Sequence, residues 1–404
     1  MRWVGRILLT LLALSPAGAR SLYWERVDVA IRVTSEGLLE VSEAQEYVFD
    51  GAWNGGYRDL DLRRVSAYTD IIESSGSGSA GAQATSQSRF RRRAVNCGCS
   101  LSPNDILITS GAVEAVDLCL MAVCNPGDIV AIESPMYFGT LQTLEAHGIR
   151  ALEIPTHPRD GISLDALDFA IKHNPIRAVV VISNFNNPLG SMIPDDKKKE
   201  LVKLLARHDI PLIENDVSGE IYFGEKRPLT CKAFDKKGLV MLCSSFSKDI
   251  SPGLRVGWAV PGRYQAQVEW LKFTLSASSA TLPQMAVAAF LESGGYEQLL
   301  RRIRREYARN IELMSAAVMR HFPAGTRVTR PAGGFVLWVQ LPERVDSLEL
   351  YKRALKGGIT LAPGHVFSAT WQYSNFIRLN AAAFNYPIER ALERLGEIIG
   401  TLAA

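Results

Sequence analysis

The sequence predicts an α/β fold, in which a mostly parallel sheet lies between layers of helices. Short apolar runs alternate with amphipathic stretches from about residue 89 onward, and residues 178–182 are continuously apolar. Continuous apolar runs are typical of parallel strands that are buried on both faces. Such sheets bind ligands at the carboxyl ends of their strands, so the residues that follow each strand are the candidates for a functional site.

The predicted elements follow one another in the order that such a fold requires. A helix at residues 112–123 follows the first strand, and the chain becomes helical again from Leu282. The predicted strands lie at residues 106–109, 129–132, 178–182, 211–214, 239–242, 334–341 and 376–380. Because the last two strands belong to a smaller C-terminal α/β domain, we place a large domain at residues 89–285 and a small domain at 286–404.

The first 88 residues have a different character. Residues 1–20 place two arginines before a short apolar run and end with small residues, which is the pattern of a secretory signal and is too short to span a bilayer comfortably. Alternating apolar and polar residues predict a β-strand fragment at 21–65, with a turn at residues 35–37. Residues 66–88 form a predicted linker, since residues 74–88 are rich in serine and glycine and hold no large apolar side chain.

The amino-acid composition limits the classes of function that the chain can have. The 404-residue chain has 47% hydrophobic residues, 22% charged residues and a formal net charge of +3, which gives no reason to expect nucleic acid as a partner. The six cysteines show neither metal-ligand spacing nor a disulfide framework, so no metal is expected. From residue 89 onward the chain has the composition of a reduced, cytoplasmic protein, whereas the signal-like segment predicts export; the sequence leaves both open.

The most informative stretch runs from residue 244 to residue 257. Lys248 carries an amine that can condense with an aldehyde, and the hydroxyls of Ser245 and Ser247 can hold phosphate oxygens. Arg255, seven positions later, can neutralise the phosphate. Pyridoxal phosphate needs both a lysine and an anion site, so these residues predict that cofactor. The alternative for Lys248 alone is an ordinary solvated loop lysine.

Two further motifs follow predicted strands. Ser110, Gly111 and Ala112 open a predicted helix, where backbone amides and the helix dipole can receive a phosphate. An ordinary helix cap would have the same sequence. Tyr137 could stack on a pyridine ring, although a core tyrosine is the competing interpretation.

The remaining candidates carry polar side chains at later strand ends. Asn187 could donate a hydrogen bond to the phenolic oxygen of the ring, and Arg378 is suited to a bidentate grip on a substrate carboxylate. An acidic residue is needed to keep the pyridine nitrogen protonated, so that the ring accepts electrons from the substrate. We assign this role, and with it a catalytic one, to Asp216, but a shift of one residue places Asn215 there instead.

These motifs together carry a family resemblance. From about residue 89 the chain resembles the class I/II aminotransferases of fold type I, and in particular the aminotransferase-like domain of MocR-type regulators of the GntR family. The resemblance rests on residues 109–111, 133–139, 187–190, 244–248, 252–258 and 376–379. It implies that Lys248 is the catalytic lysine that binds the cofactor and moves protons, with the other residues in the roles given above. It also implies amino-acid and 2-oxo-acid substrates and a homodimer with active sites at the subunit interface.

Departures from the family pattern keep several functions open. Ser218 stands where the family usually has a tyrosine, the N-terminal arm has no counterpart before residue 89, and no winged-helix DNA-binding domain precedes the module. Instead, residues 1–64 resemble the start of a bacterial family of predicted membrane proteins of unknown function. Transamination is the expected activity. The alternatives are a ligand-sensing module of a regulator and an inert exported chimera.

Overall fold

The computed structural model describes residues 97–99 and 101–403, together with the backbone of residues 21–33 and 39–50. The chain divides into two compact units, residues 1–81 and 82–404. The predicted signal-like segment at 1–20 and the predicted linker at 66–88 lie outside the described residues, so both stay predictions.

The described part of the first unit is a pair of antiparallel strands. Strand β1 (Ser21–Val33) pairs with β2 (Leu39–Asp50), with Val29 opposite Glu43 and a register shift between Trp24 and Arg26. These are the two strands that the alternation of apolar and polar residues predicts.

The second unit is built on an eight-stranded sheet. Its strands are β3 (Leu107–Thr109), β4 (Ile129–Ser134), β5 (Arg150–His157), β6 (Gly161–Ile162), β7 (Ile176–Val181), β8 (Leu212–Asn215), β9 (Val240–Ser245) and β10 (Gly257–Val260). Their order across the sheet is β3-β10-β9-β8-β7-β4-β5-β6, and the neighbours from β9 to β5 are parallel. Strand β10 is antiparallel to both of its neighbours, β3 and β9. The predicted α/β fold with a mostly parallel central sheet is confirmed.

Helices cover both faces of this sheet. They are α1 (Ala112–Val123), α2 (Phe138–Ala146), α3 (Leu164–His173) and α4 (Asp195–His208). Successive side chains of a strand point to opposite faces. Accordingly, Ala178 and Val180 pack in the core that contains α1 and α2, whereas Val179 and Val181 pack in the core that contains α3 and α4. Burial on both faces explains why this strand is continuously apolar.

The C-terminal part of the unit combines long helices with a small sheet. It contains α5 (Gln265–Ser276), α6 (Thr281–Glu292), α7 (Gly295–His321), α8 (Ser347–Lys356), α9 (Tyr386–Ala403), β11 (Arg327–Val328), β12 (Val336–Gln340), β13 (Ala362–Pro363) and β14 (Phe376–Asn380). The four strands form an antiparallel sheet in the order β11-β12-β14-β13. Residues from α7, α8, α9, β12 and β14 share one apolar core.

Several elements differ from the sequence prediction, which lacks the short strands β6, β10, β11 and β13 as well as the two elements that follow. The helical region begins at Gln265, not at Leu282, because α5 precedes α6. Strand β5, Arg150–His157, was not predicted, since polar and charged residues interrupt its apolar positions. In the described part of the chain, none of the helices combines the length and the apolar character that crossing a bilayer requires.

Candidate active site

The ends of the central strands surround a cavity of about 280 Å³. Strands β8 and β9, the start of α1, and strands β12 and β14 of the small sheet all contribute to its wall. The cavity therefore lies at the carboxyl ends of parallel strands, as the fold class predicts. Nine of the candidate residues line it: Ala112, Tyr137, Asn187, Asn215, Ser245, Ser247, Lys248, Arg255 and Arg378.

One end of the cavity is suited to a phosphate group. Arg255 Nη2 donates a hydrogen bond to the Ser110 carbonyl at 2.8 Å, at the start of helix α1. Gly111 has φ +95°, and a Cβ atom there would lie 2.5 Å from Arg255 Nη2, so only glycine leaves room for the guanidinium. The Ser245 hydroxyl, which accepts from the Ser247 backbone N–H at 3.4 Å, lines the same cavity. A cation, two hydroxyls and a helix N-terminus thus converge, which is the composition of an anion site.

Lys248 extends into the cavity beside this anion site. Its Nζ lies 5.8 Å from the centre of the Phe335 ring. Partial burial lowers the pKa of Lys248, and the positive charges of Arg378 and Arg255 lower it further. Because the neutral amine is the nucleophilic form, a lowered pKa prepares this lysine for attack on an aldehyde.

Arg378 enters the cavity from the small sheet. Its Nη1 donates to Asn187 Oδ1 at 3.3 Å, and its guanidinium carbon lies 5.6 Å from the centre of the Phe367 ring. Burial lowers the pKa of Arg378, while the nearby Tyr137 opposes this shift. The Nε atom is buried and has no hydrogen-bond partner in the structure. An arginine with an unused, desolvated donor is suited to a carboxylate ligand.

The structure distinguishes between the two neighbours at the end of β8. Asn215 lines the cavity, although only 8% of its surface is exposed, and its Oδ1 has no hydrogen-bond partner. Asp216 is fully buried and does not line the cavity. Its carboxylate accepts from Asn184 Nδ2 at 2.8 Å and pairs with Arg227. Asn215 therefore lines the cavity, whereas the Asp216 carboxylate is engaged with Arg227 outside its lining; which of the two contacts a pyridine nitrogen stays a prediction, and the arrangement favours Asn215 over the assigned Asp216.

Two further candidates, Ser110 and Gly111, do not line the cavity. The Ser110 carbonyl accepts the hydrogen bond from Arg255, and Gly111 leaves space for the Arg255 guanidinium. Residues that were not predicted as site residues also line it, among them Ser218, Phe335 and Asn380. Asn380 could have been found from the sequence, since it lies two positions after Arg378 on β14 and so points to the same face.

Two buried carboxyl groups lie behind the cavity wall. Glu133 accepts from the Ile182 N–H and from Asn186 Nδ2, both at 2.7 Å, and burial raises its pKa to about 8. Glu214 accepts from backbone N–H groups at 2.7 and 3.0 Å, and burial raises its pKa as well. Neither lines the cavity, so these acids hold the strand-end loops in place.

Comparisons with known proteins identify the family. The family model "Aminotransferase class I and II" matches residues 84–395. The chain belongs to this family. It is 42% identical to the uncharacterized HTH-type transcriptional regulator YjiR of Escherichia coli K12, over 77% of this chain and 66% of the regulator. The expected likeness to helix-turn-helix regulators is thus confirmed, and the chain spans just under two thirds of this one.

Enzymes of the same family are also similar. The chain is 33% identical to the 2-aminoadipate transaminase of Thermus thermophilus, over 75% of this chain and 77% of that enzyme. Its fold matches the crystal structure of LysN, the alpha-aminoadipate aminotransferase of Thermus thermophilus, complexed with N-(5'-phosphopyridoxyl)-L-leucine. The TM-score is 0.73 and the identity is 30%, and the match covers 79% of this chain and 82% of that chain. The predicted fold type I architecture is confirmed.

The residues present fit the cofactor of this family, pyridoxal phosphate. The anion site at Arg255 suits the phosphate of the cofactor. The lowered pKa of Lys248 favours the neutral amine, which suits the aldehyde of the cofactor. Asn215 Oδ1 and Arg378 Nε are buried polar atoms without protein partners, as expected of groups that face a ligand.

Proposed function

We propose that the chain is a pyridoxal-phosphate-dependent aminotransferase-like protein that acts on amino acids and 2-oxo acids. The observation that carries the proposal is that Lys248 shares one cavity with two arginines, Arg255 and Arg378, whose charges both act on its amine. Two cations beside a lysine match a cofactor and a substrate that each carry an anionic group.

Each side chain has a role in this proposal. Arg255, Ser245, Ser247 and the N–H of Ala112 hold the phosphate. Arg378 binds the α-carboxylate of the substrate, and Asn187, which accepts from Arg378, orients it.

The chemistry also depends on the ring and on Lys248. When bound, the cofactor supplies an aldehyde for the substrate amine and a ring that accepts electrons. Tyr137 stacks on that ring. Once the substrate amine has displaced Lys248, its Nζ takes the α-proton of the substrate as a general base and later returns a proton as a general acid.

Exposed apolar side chains support the predicted homodimer. On α5, Trp270 is 64% exposed, Phe273 71% and Leu275 60%, and Leu282 at the start of α6 is 62% exposed. Large exposed apolar side chains grouped in one region are typical of a protein interface. We infer that a second copy of the chain covers them.

Borohydride reduction tests the proposal. The full chain is loaded with pyridoxal phosphate, reduced, digested and analysed by mass spectrometry; the expected result is a phosphopyridoxyl group on Lys248. The variant Lys248→Ala should lose this label and the visible absorbance, and any transamination should fall by about 10²–10⁴-fold. Lys203→Ala, which removes an exposed lysine of α4, is the matched control and should behave as wild type. An unlabelled Lys248 in folded, loaded protein contradicts the proposal.

A second candidate is a ligand sensor that binds amino acids and converts them slowly. The similarity to a transcriptional regulator and the neutral side chain of Asn215 favour it. Measuring 2-oxo acid formation from a panel of amino acids separates the two functions. An enzyme forms product with at least one donor, whereas a sensor changes the cofactor absorbance without product.

A further inference from the structure

The lining of the cavity is unbalanced in charge. Among the described lining residues, Lys248, Arg255 and Arg378 are cationic, and not one is an aspartate or a glutamate. The polar residues at the end of β8 and just beyond it, Asn215 and Ser218, are neutral. A ligand in this cavity therefore meets positive charge without a compensating carboxylate.

The acids nearest to the cavity along the chain are held elsewhere. Asp216 pairs with Arg227, and Arg227 Nε also donates to Glu220 at 2.8 Å. The backbone at Gly219 lies directly on this pair, since a Cβ atom there would be 2.4 Å from Asp216 Oδ1 and 2.6 Å from Arg227 Nη2. Asp216 cannot turn into the cavity without breaking a buried ion pair.

Asn215 is the polar side chain that this arrangement leaves facing the ligand. With 8% of its surface exposed it is more than nine-tenths buried, and its Oδ1 has no partner within the protein. In pyridoxal phosphate the ring nitrogen is para to the aldehyde carbon, so a ring attached at Lys248 directs its nitrogen away from that lysine. Asn215, a buried amide with an unpartnered oxygen in the wall of the same cavity, is a suitable neighbour for that nitrogen.

We propose that Asn215 contacts the ring nitrogen and leaves it unprotonated at neutral pH. The chain then captures amino acids faster than it converts them. This inference rests on the proposed function of Lys248. A carboxylate near a titrating group moves its pKa by about 1–3 units, whereas a neutral amide supplies no such charge. The positive charges of Arg255 and Arg378, which line the same cavity, further disfavour a protonated, positively charged ring.

The two chemical steps depend differently on this nitrogen. In capture, the neutral substrate amine would replace Lys248 Nζ at the aldehyde carbon: one carbon–nitrogen double bond would form as the other breaks, and the two protons lost by the substrate amine would go to Nζ. This exchange needs no electron sink. Removal of the α-proton leaves an electron pair that the ring must accept, and a neutral ring accepts it less readily.

Solid-state NMR of cofactor labelled with ¹⁵N at the ring nitrogen tests the inference directly. Wild type at pH 7 should show the chemical shift of an unprotonated nitrogen, and Asn215→Asp should show a protonated one. The variant should also form 2-oxo acid about 10- to 100-fold faster, in proportion to a pKa change of 1–2 units, while capture changes little. Asp216→Asn is the matched control and should leave the ¹⁵N signal in the unprotonated position.

Three results would overturn the inference. They are a protonated nitrogen in wild type, an Asn215→Asp signal identical to wild type, and a shift caused by Asp216→Asn in place of Asn215→Asp. The failure of the proposed function looks different, because Lys248 then carries no reducible cofactor in any variant. A protonated nitrogen in a wild-type protein with labelled Lys248 overturns the role of Asn215 alone.

Discussion

Two groups of residues in the cavity lining differ in charge and in how closely they match the family pattern. Lys248 and Arg255, with the nearby hydroxyls and helix start, are the group that pyridoxal phosphate requires. Asn215 and Ser218 are neutral where the resemblance leads one to expect an acid and a tyrosine. We propose that holding the cofactor and making it a strong electron acceptor are separable properties, and that the second is weakened in this chain.

The largest expected effect concerns Asp216, which does not line the cavity and belongs to neither group of residues. Asp216→Ala removes one carboxylate from a buried ion pair with Arg227, whose side chain is 7% exposed. Breaking such a pair costs about 3–5 kcal/mol in the free energy of unfolding. Urea unfolding followed by circular dichroism should show this loss, whereas Asn215→Ala should lower stability far less. Equal stabilities of the Asp216 variant and wild type would mean that Asp216 does not anchor this part of the fold.

The second largest expected effect is on the affinity for the cofactor. Arg255→Ala removes a charged hydrogen-bond donor, worth about 1.5–3 kcal/mol, so the dissociation constant of the cofactor should rise about 10- to 100-fold. Ser218→Ala, which changes a lining residue just beyond β8, should change it little. Absorbance titrations of both variants give the comparison. Similar losses in the two variants would show that the cavity does not have a dedicated phosphate side.

The smallest effect is a shift in pH dependence. The pKa of Lys248 is lowered from its usual 10.5 by burial and by Arg378 and Arg255, so the rate of cofactor capture should rise with pH and level off below pH 10.5. Arg378→Ala removes one like charge and should therefore move the midpoint of this profile upward. Stopped-flow absorbance over a pH series measures it. A midpoint that moves downward would contradict the proposed charge environment of the lysine.

Much of this fold could be predicted from local pattern. Helix α1 and strand β14 have the predicted bounds, because a glycine precedes the first and alternating burial marks the second. Strand β5 could not be predicted in the same way, since only one of its eight residues is fully buried. Its position depends on pairing with β4, which is a tertiary contact.

Part of the cavity lining was predictable in the same way. The residues around Lys248 lie close together in sequence, so their chemistry could be interpreted from a short motif. The choice between Asn215 and Asp216 could not be made, because a shift of one residue along a strand end reverses the direction of the side chain. Arg227, which holds Asp216 away from the cavity, lies eleven positions further on in a loop, and no local pattern indicates it.

Strand β10 has a consequence for the order of biosynthesis. Arg255 reaches the Ser110 carbonyl just before the chain enters the sheet at residues 257–260, between β3 and β9. A ribosome must therefore have translated past residue 260 before this half of the sheet can close. Because β12 and β14 also line the cavity, the nascent chain has a complete site for the coenzyme only after residue 380 has been translated as well.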